Sequence, residues 1–287
     1  MKLLPTFLST LLLAVCAHAA PIKVLIIDGQ NNHAWATTSP EIKKILEEPG
    51  IFTVDVATSP AKDADMNAFV PNFAAYQVVV SNYNGALWSP AAMEAFEKYV
   101  SGGGGFVPVH AADNSFPEWK AYNEMIGLGG WGGRNEKSGP WLRLRDGKWT
   151  ADTTPGNGGS HGAQHAFLMV THAPEHPIMA GLPAKWMHAQ DELYDRLRGP
   201  AKNVTVLASA YSAKAKGGTD LDEPLLMTIE YGKGRVFHTA LGHAMEAIKC
   251  QGFATTLQRG VEWAATGKVT QEVPANFPTE AAVSARP

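Results

Sequence analysis

Short apolar runs alternate with helical patterns through the first 110 residues. The runs are too short for helices and rich in β-branched residues, so they predict buried strands. The predicted strands are residues 22–28, 52–57, 76–81 and 106–109, and the predicted helices are residues 37–48 and 90–100. Ser39 and Pro40 are expected to open the first helix, and Ser89 and Pro90 the second. This order predicts an α/β fold, with a mostly parallel central sheet and helices on both faces.

The same patterns continue through the second half of the chain. They predict helices at 116–126 and 253–265, and strands at 141–145, 148–150, 166–171, 204–210, 224–231 and 235–241. The glycines between 127 and 133 lack the spacing of a phosphate-binding loop and predict a turn. Residues 271–287 contain three prolines and little apolar periodicity, which predicts a disordered tail. We therefore expect one domain over residues 20–270.

The N-terminus has the pattern of a secretory signal. Lys2 precedes an apolar run over residues 3–16, and the small-residue segment that follows predicts cleavage after Ala19. A lipoprotein is less favoured, because Val15 stands where a small residue should precede Cys16. No later run reaches the eighteen or so apolar residues of a membrane-spanning helix. Residues 1–19 are thus interpreted as a signal peptide of an exported protein, either periplasmic or secreted, that does not span a membrane.

The composition and net charge of the chain limit the classes of molecule that it is expected to bind. With 45% hydrophobic and 18% charged residues, the chain is of ordinary globular type. Removal of Lys2 would leave 23 basic and 27 acidic residues, a net charge of −4, which argues against nucleic acid as a partner. Cys250 would then be the only cysteine, so no intramolecular disulfide can form. We interpret it as a structural thiol.

Polar residues follow the predicted strands where open α/β sheets bind ligands. Right-handed crossovers would bring the ends of the parallel strands to one edge of the sheet. The residues expected there are Asp28, His33, Asn82, Asn84 and His110, with Asp113 three residues further on. His110 follows a glycine run and a buried strand, and it is the strongest candidate for a catalytic base or a ligand.

Further candidates occur in the second half of the chain. Asp191 and Glu192 are adjacent, so at most one of them should point into a given site. His243 follows the predicted strand 235–241. His161 and His165 are four residues apart and could bind a divalent metal such as zinc, although the glycines around them favour a loop over a helix.

Several segments together resemble the ThuA-like, or trehalose-utilisation, family. They are the first predicted strand with the His33 that follows it, GGGGFVPVHAADNSFPEW, HPIMAGLP followed by DELY, and YGKGRVFHTALGH before a predicted helix that contains RGVEWA. The resemblance implies a three-layer, flavodoxin-like fold similar to that of class I glutamine amidotransferases. Those relatives carry a nucleophilic cysteine on a tight turn after a central strand. Here the strand ends in Val109-His110-Ala111 without cysteine or serine, so a Cys-His-Glu mechanism lacks its nucleophile.

The resemblance also implies a role in the catabolism of glycosides, including sugars with a 3-keto group. The expected chemistry is proton abstraction beside a carbonyl followed by elimination, or hydrolysis, with a carbohydrate as substrate. Its predicted residues are His110, Asp191 and His243 for catalysis; Asp28, His33, Asn82, Asn84, Asp113, Trp131 and Glu192 for substrate; and His161 and His165 for metal. Trp88 and Trp119 are further candidates for stacking on sugar rings. Two alternatives stay open: a carbohydrate-binding protein without catalysis, and a metal-dependent hydrolase of another exported substrate.

Overall fold

A nine-stranded sheet organises residues 20–286, the part of the chain that the computed structural model describes. The predicted signal segment, residues 1–19, lies outside the described residues. The strands are β1 (Ile22–Asp28), β2 (Phe52–Thr58), β3 (Val78–Ser81), β4 (Gly105–Pro108), β5 (Trp141–Arg145), β6 (Lys148–Asp152), β7 (Ser160–His161), β8 (His165–Thr171), β9 (Lys185–Asp191), β10 (Tyr194–Asp195), β11 (Val204–Ser212), β12 (Leu221–Tyr231) and β13 (Gly234–Thr239). The α-helices are α1 (Trp35–Glu47), α2 (Pro90–Ser101), α3 (Lys120–Ile126), α4 (Met245–Ile248) and α5 (Gln251–Thr266). Within this part of the chain, no helix has the length and apolar character needed to cross a membrane.

The large sheet is half parallel and half antiparallel. Its strand order is β2-β1-β3-β4-β13-β12-β11-β8-β9. Pairing is parallel from β2 to β13 and antiparallel from β13 to β9. The predicted α/β class is confirmed, but the sheet is mixed where a mostly parallel one was expected. The reason is local: only Gly232 and Lys233 join β12 to β13, and so short a turn permits only an antiparallel pair.

Helices cover both faces of the sheet. The Phe106 ring on β4 lies 5.0 Å from the Phe96 ring of α2 and 5.8 Å from the Tyr122 ring of α3. A Cβ on the neighbouring Gly105 would lie 2.8 Å from the backbone of Ala264 in α5. Because successive residues of a strand face opposite sides, α2 and α3 lie on one face and α5 on the other. Helix α1 packs against α5.

The first helix begins earlier than its sequence predicts. Helix α1 starts at Trp35, so Pro40 lies inside it and Ser39 does not cap it. Ser39 and Thr38 are buried instead, and both hydroxyl oxygens accept hydrogen bonds of 3.0 Å from Asn82 Nδ2. The predicted start of α2 is confirmed: the Ser89 hydroxyl accepts a hydrogen bond from the backbone of the first turn, and Pro90 is the first helical residue.

The last strand of the sheet packs back against the helices. Strand β9 lies four places from β13 in the sheet order, yet it contacts α4 and α5. Trp186 on β9 is fully buried, and a Cβ on Gly252 of α5 would lie 2.3 Å from its ring. Only glycine permits this approach. The carboxyl end of β9 thereby reaches the loop that follows β13.

The C-terminal segment 271–286 packs against the domain, where the sequence had predicted a disordered tail. The Phe277 ring is buried 5.4 Å from the Trp186 ring, and Thr279 accepts a backbone hydrogen bond from Met187. The buried guanidinium of Arg286 pairs with Glu41 of α1 and with Glu48, the residue directly after that helix. These contacts are to residues distant in sequence, so the local pattern of the segment does not reveal them.

Candidate metal centre and substrate cavity

Four side chains converge at the edge of the sheet where the parallel strands end. His33 follows β1, His110 follows β4, Glu192 follows β9 and His243 follows β13. One nitrogen or oxygen atom from each lies within 4.8 Å of the corresponding atoms of the other three. The sequence predicted each of these residues for the site, but with separate roles. The structure brings them together as one set, which we call the His3Glu cluster.

The ring of His110 is held in a fixed orientation. Its backbone has a φ of 47°, a left-handed conformation that is strained for a residue with a side chain. Its Nδ1 lies 2.7 Å from the carbonyl oxygen of Ala240, and Tyr194 stacks on the ring at 4.1 Å. A carbonyl only accepts, so Nδ1 carries a hydrogen and Nε2 points toward the cluster. Burial opposes a charge on the ring, but the interaction with Glu192 outweighs it and raises the pKa of His110, so a metal bound at Nε2 would displace a proton. An imidazole thus occupies the tight turn where a nucleophile would be expected.

The residues of the cluster fit a divalent metal ion. His33 Nδ1, His110 Nε2 and His243 Nδ1 are buried and make no hydrogen bond. Glu192 Oε2 lies 3.0 Å from His243 Nδ1, which is not oriented to donate to it, and 3.6 Å from His110 Nε2. Ligand atoms of a tetrahedral zinc ion are roughly 3.3–3.6 Å apart, given metal–ligand distances of about 2.0–2.2 Å. Each unsatisfied buried group costs about 1–3 kcal/mol, a penalty that a bound cation would remove.

Two of these candidate ligands, His33 and Glu192, are held in the protonation states that metal binding requires. Burial, reinforced by the nearby His110 and His243 rings, lowers the pKa of His33 to about 4. Burial alone would raise the pKa of Glu192, but its interactions with His110, His243 and His161 outweigh that effect and lower it to about 2. At neutral pH His33 is therefore uncharged and Glu192 is ionised, as ligation demands.

Asp191 lies on the interior side of the His3Glu cluster and accepts hydrogen bonds from the backbone of two of its members. Its Oδ1 accepts hydrogen bonds from the backbone N–H groups of Glu192 (2.9 Å) and His243 (3.0 Å). Its Oδ2 accepts from the Gly242 N–H and from His188 Nε2, both at 2.8 Å. The two adjacent acids do point in different directions. The one that enters the cluster is Glu192, whereas Asp191, predicted to be catalytic, is 1% exposed and faces the interior.

The ion pair of Asp191 with His188 is completely buried. Burial opposes a charge on each side chain, but the hydrogen bond between them lowers the pKa of Asp191 and, together with the Cys250 thiol, raises the pKa of His188 to about 9. Removing one partner of such a pair leaves an uncompensated buried charge. The backbone at Glu192 and His243 therefore depends on an intact pair.

A cavity of about 430 Å³ opens above the cluster, within the range of small-molecule sites. Its lining residues are Asn32, His33, Asn84, Asn114, Trp131, Gly132, His161, Glu192 and Tyr194. None of these is lysine or arginine. Three side-chain amides and two aromatic rings surround the opening, and Asn114 Oδ1 is buried without a hydrogen-bond partner. Amide groups and aromatic surfaces suit an uncharged, hydroxyl-rich ligand better than an anionic one.

His161 and His165 do not form the predicted metal pair. They lie in strands of different sheets, β7 and β8, so their spacing of four residues does not place them on one face. His161 borders the cavity, with Nε2 3.6 Å from Glu192 Oε1 and Nδ1 2.9 Å from the Gly162 carbonyl oxygen. His165 is outside the cluster, and its ring packs against Phe167. His161 is thus a neighbour of the candidate metal centre.

Three predicted substrate-binding residues are buried and do not line the cavity. Asp28 Oδ1 accepts a 2.7 Å hydrogen bond from the Thr58 hydroxyl, and Asp113 Oδ2 lies 3.2 Å from His238 Nε2. Asn82 holds α1 through the hydroxyl contacts described above. The sequence correctly placed these residues at or just after strand ends, but their side chains turn inward and each has a partner inside the protein, although Asp113 Oδ1 is buried without one.

Only one of the three candidate sugar-stacking tryptophans lies at the cavity. Trp131 lines it, with its ring 4.7 Å from Tyr194. Trp88 and Trp119 are buried in an aromatic core that covers the α2 side of the sheet. Tyr194 and Asn114 were not predicted, although both lie in segments that the sequence singled out, DELY and HAADN.

The mixed sheet, its covering helices and the strained turn after a central strand define an architecture consistent with flavodoxin-like and class I glutamine amidotransferase-like proteins. A family model described as "ThuA: Trehalose utilisation" matches residues 23–264. The chain therefore belongs to the ThuA family, as the resemblance indicated.

Solved structures agree with this assignment. A ThuA-like protein from Parabacteroides merdae ATCC 43184 is 50% identical, with a TM-score of 0.91 over 93% of this chain and 98% of that chain. A ThuA-like protein from Bacteroides uniformis ATCC 8492 is 20% identical, with a TM-score of 0.62 over 89% and 98% of the two chains. A cytoplasmic protein from Salmonella typhimurium LT2 shares the fold at 15% identity, with a TM-score of 0.52 over 85% and 100%. A comparison with curated proteins finds no match.

Proposed function

We propose that this protein is a divalent-metal-dependent enzyme of carbohydrate catabolism that acts on a glycoside or a 3-keto-glycoside. The observation that carries the proposal is the His3Glu cluster, whose three unpaired imidazole nitrogens and one carboxylate oxygen converge at the base of a cavity. The description of the family as trehalose utilisation favours a disaccharide or a product of its oxidation. Zinc is the ion best matched to histidine and carboxylate ligands in this number.

Each residue around the cavity has a distinct part in this proposal. A bound cation would supply Lewis acidity toward a carbonyl or enediolate oxygen of the substrate. His161 donates Nδ1–H to the Gly162 carbonyl, so its Nε2 is free to accept a proton from the substrate carbon beside the carbonyl. The Asn32, Asn84 and Asn114 amides offer hydrogen bonds to hydroxyl groups. Trp131 offers an apolar face to the ring.

Export belongs to the same proposal. The charged, apolar and small-residue parts of residues 1–19 support a signal peptide, which would deliver the mature chain to the periplasm or the medium. A disaccharide is available there before uptake. Detection of the protein in periplasmic or culture fractions, with an N-terminus at Ala20, would test this part directly.

Metal content and turnover test the proposal together. The purified protein should contain about one equivalent of a divalent ion by elemental mass spectrometry, and a chelator should remove both the ion and the activity. Activity is sought on a panel of disaccharides and of their 3-keto derivatives. His110→Ala should lose the metal and turnover, whereas His165→Ala, outside the cluster, should keep both.

The possible outcomes separate the alternatives. A protein that holds no divalent ion after reconstitution, or a His110→Ala variant that turns over substrate normally, would contradict the proposal. Sugar binding without turnover of any disaccharide or ketodisaccharide would instead identify a carbohydrate-binding protein. A bound metal with activity only on a substrate that contains no sugar would identify a hydrolase of another class.

A further inference from the structure

A second cavity of about 620 Å³ lies beside the substrate cavity. The two share Asn32 and Asn84 as a common wall, and a 2.7 Å hydrogen bond from Asn84 Nδ2 to Asn32 Oδ1 joins these side chains. His33 and Glu192 of the His3Glu cluster line only the first cavity. A ligand that reaches the candidate metal centre and extends past the asparagine pair would therefore enter the second cavity with its non-reacting end.

Gln30 lies at the floor of the second cavity, and hydrogen bonds hold its side chain in place. Gln30 is 7% exposed; its Nε2 donates to the Pro60 carbonyl at 2.8 Å and its Oε1 accepts from the Ala86 N–H at 2.9 Å. A Cβ on Gly85 would lie 2.4 Å from the Cβ of Gln30, so a larger residue cannot occupy that position without displacing this floor. These contacts tie the loops after β1, β2 and β3 together.

The walls of this cavity have the chemistry of a sugar subsite. Trp35, the first residue of α1, is half-buried and is the aromatic residue among those that line the cavity. Asn31 also lines the cavity, although its amide is hydrogen-bonded to Asn82 and to the His33 N–H, and the exposed Lys62 and Asp63 supply further polar groups. A pyranose ring presents an apolar face to an aromatic ring and hydroxyl groups to polar neighbours. This combination of one aromatic surface with polar groups at the edge suits it.

We propose that the second cavity binds the sugar ring on the far side of the glycosidic bond, so that the two cavities together accommodate a disaccharide. The inference rests on the proposed function for the position of the reacting ring. Asn32 and Asn84, at the common wall, would face the glycosidic oxygen. Trp131 would contact the reacting ring, and Trp35 would contact the leaving ring.

Comparing a disaccharide with a methyl glycoside that lacks its second sugar ring measures what that ring contributes to binding. Trehalose is compared with methyl α-D-glucopyranoside, and cellobiose with methyl β-D-glucopyranoside, each in native form and oxidised at C3, by calorimetric titration of the protein after incubation with excess zinc and desalting. We expect at least one disaccharide to bind about tenfold more tightly than its methyl glycoside. Trp35→Ala should abolish that difference without weakening the methyl glycoside, since aromatic stacking contributes about a tenfold effect.

Two other tryptophans provide the controls. Trp131→Ala should weaken the disaccharide and the methyl glycoside alike, and Trp149→Ala, outside both cavities, should change neither affinity. The subsite is refuted if no disaccharide binds more tightly than its methyl glycoside, or if Trp35→Ala weakens both ligands equally. Failure of the proposed function has a different signature: the disaccharide preference and its loss in Trp35→Ala would persist, but without a bound metal or turnover.

Discussion

Replacing Asp191 by asparagine should weaken metal binding although the side chain does not face the metal. Each carboxylate oxygen accepts two hydrogen bonds, one pair from Glu192 and His243 and the other from Gly242 and His188. Asparagine offers one oxygen, and its NH₂ group would meet N–H donors whichever way the amide is turned. Two hydrogen bonds and the negative partner of His188 are lost together.

The size of the effect follows from these contacts. Hydrogen bonds to a charged group each contribute about 1.5–3 kcal/mol, and breaking a buried ion pair from one side costs about 3–5 kcal/mol. These terms overlap, so we expect the free energy of unfolding to fall by about 3–5 kcal/mol. The variant should still fold, because domains typically have about 5–15 kcal/mol of stability. Displacement of Glu192 and His243 should weaken metal affinity about 10–100-fold, the usual effect of losing a group that orients metal ligands.

Urea unfolding of the metal-free protein measures the change in the free energy of unfolding. A zinc competition titration with a chromophoric chelator measures the change in metal affinity. Asp195→Asn is the matched control, because Asp195 is fully buried and accepts a hydrogen bond from the Ser212 hydroxyl but does not contact the cluster. It should leave metal affinity unchanged, because the asparagine oxygen can keep the hydrogen bond from Ser212. If the zinc affinity of Asp191→Asn is within twofold of that of the wild type, Asp191 does not position Glu192 and His243 for metal binding.

Three further predictions address other parts of the molecule. His161→Gln should retain the metal but lower turnover by about 10²–10⁴-fold, which steady-state kinetics and metal analysis check together. Phe277→Ala should cost about 2 kcal/mol in thermal unfolding, whereas Val283→Ala, at 49% exposure, should cost almost nothing. Because its folded pKa is raised to about 9, His188 contributes stability fully below pH 6.5 and loses it as pH rises through 9. Cys250 offsets part of this loss, because its interaction with His188 outweighs its burial and lowers its pKa to about 7, so that it adds stability as pH rises above 7. Urea unfolding should show that wild type loses stability relative to His188→Gln as pH rises through 9, and a pH-independent difference between the two proteins would contradict this.

The sequence located much of the candidate site because strand ends can be recognised locally. A buried run such as 22–28 or 105–108 stops where polar residues begin, and parallel strands bring their ends to one edge. On that basis His33 and His110 were expected at the same place. His243 was recognised in the same way, as a histidine that follows the end of a strand.

The sequence could not decide which side chains turn toward the cavity. Asp28, Asn82 and Asp113 also follow strands, but each finds a partner inside the protein. Asp191 and Glu192 were expected to diverge, yet alternation along a strand does not say which of two neighbours faces the ligand. That choice depends on the partners that other elements supply.

The local sequence pattern was therefore enough to predict the α/β class and most strand positions. It also predicted that histidines gather at the edge of the sheet where the parallel strands end. Tertiary structure decided the rest. The antiparallel half of the sheet brings β9 against α4 and α5, and only this packing carries Glu192 to three histidines that follow β1, β4 and β13. The candidate metal centre requires donor atoms a few ångströms apart, and here they come from positions 33 to 243. Such convergence is a property of the folded chain, because no local segment contains more than one of the four ligands.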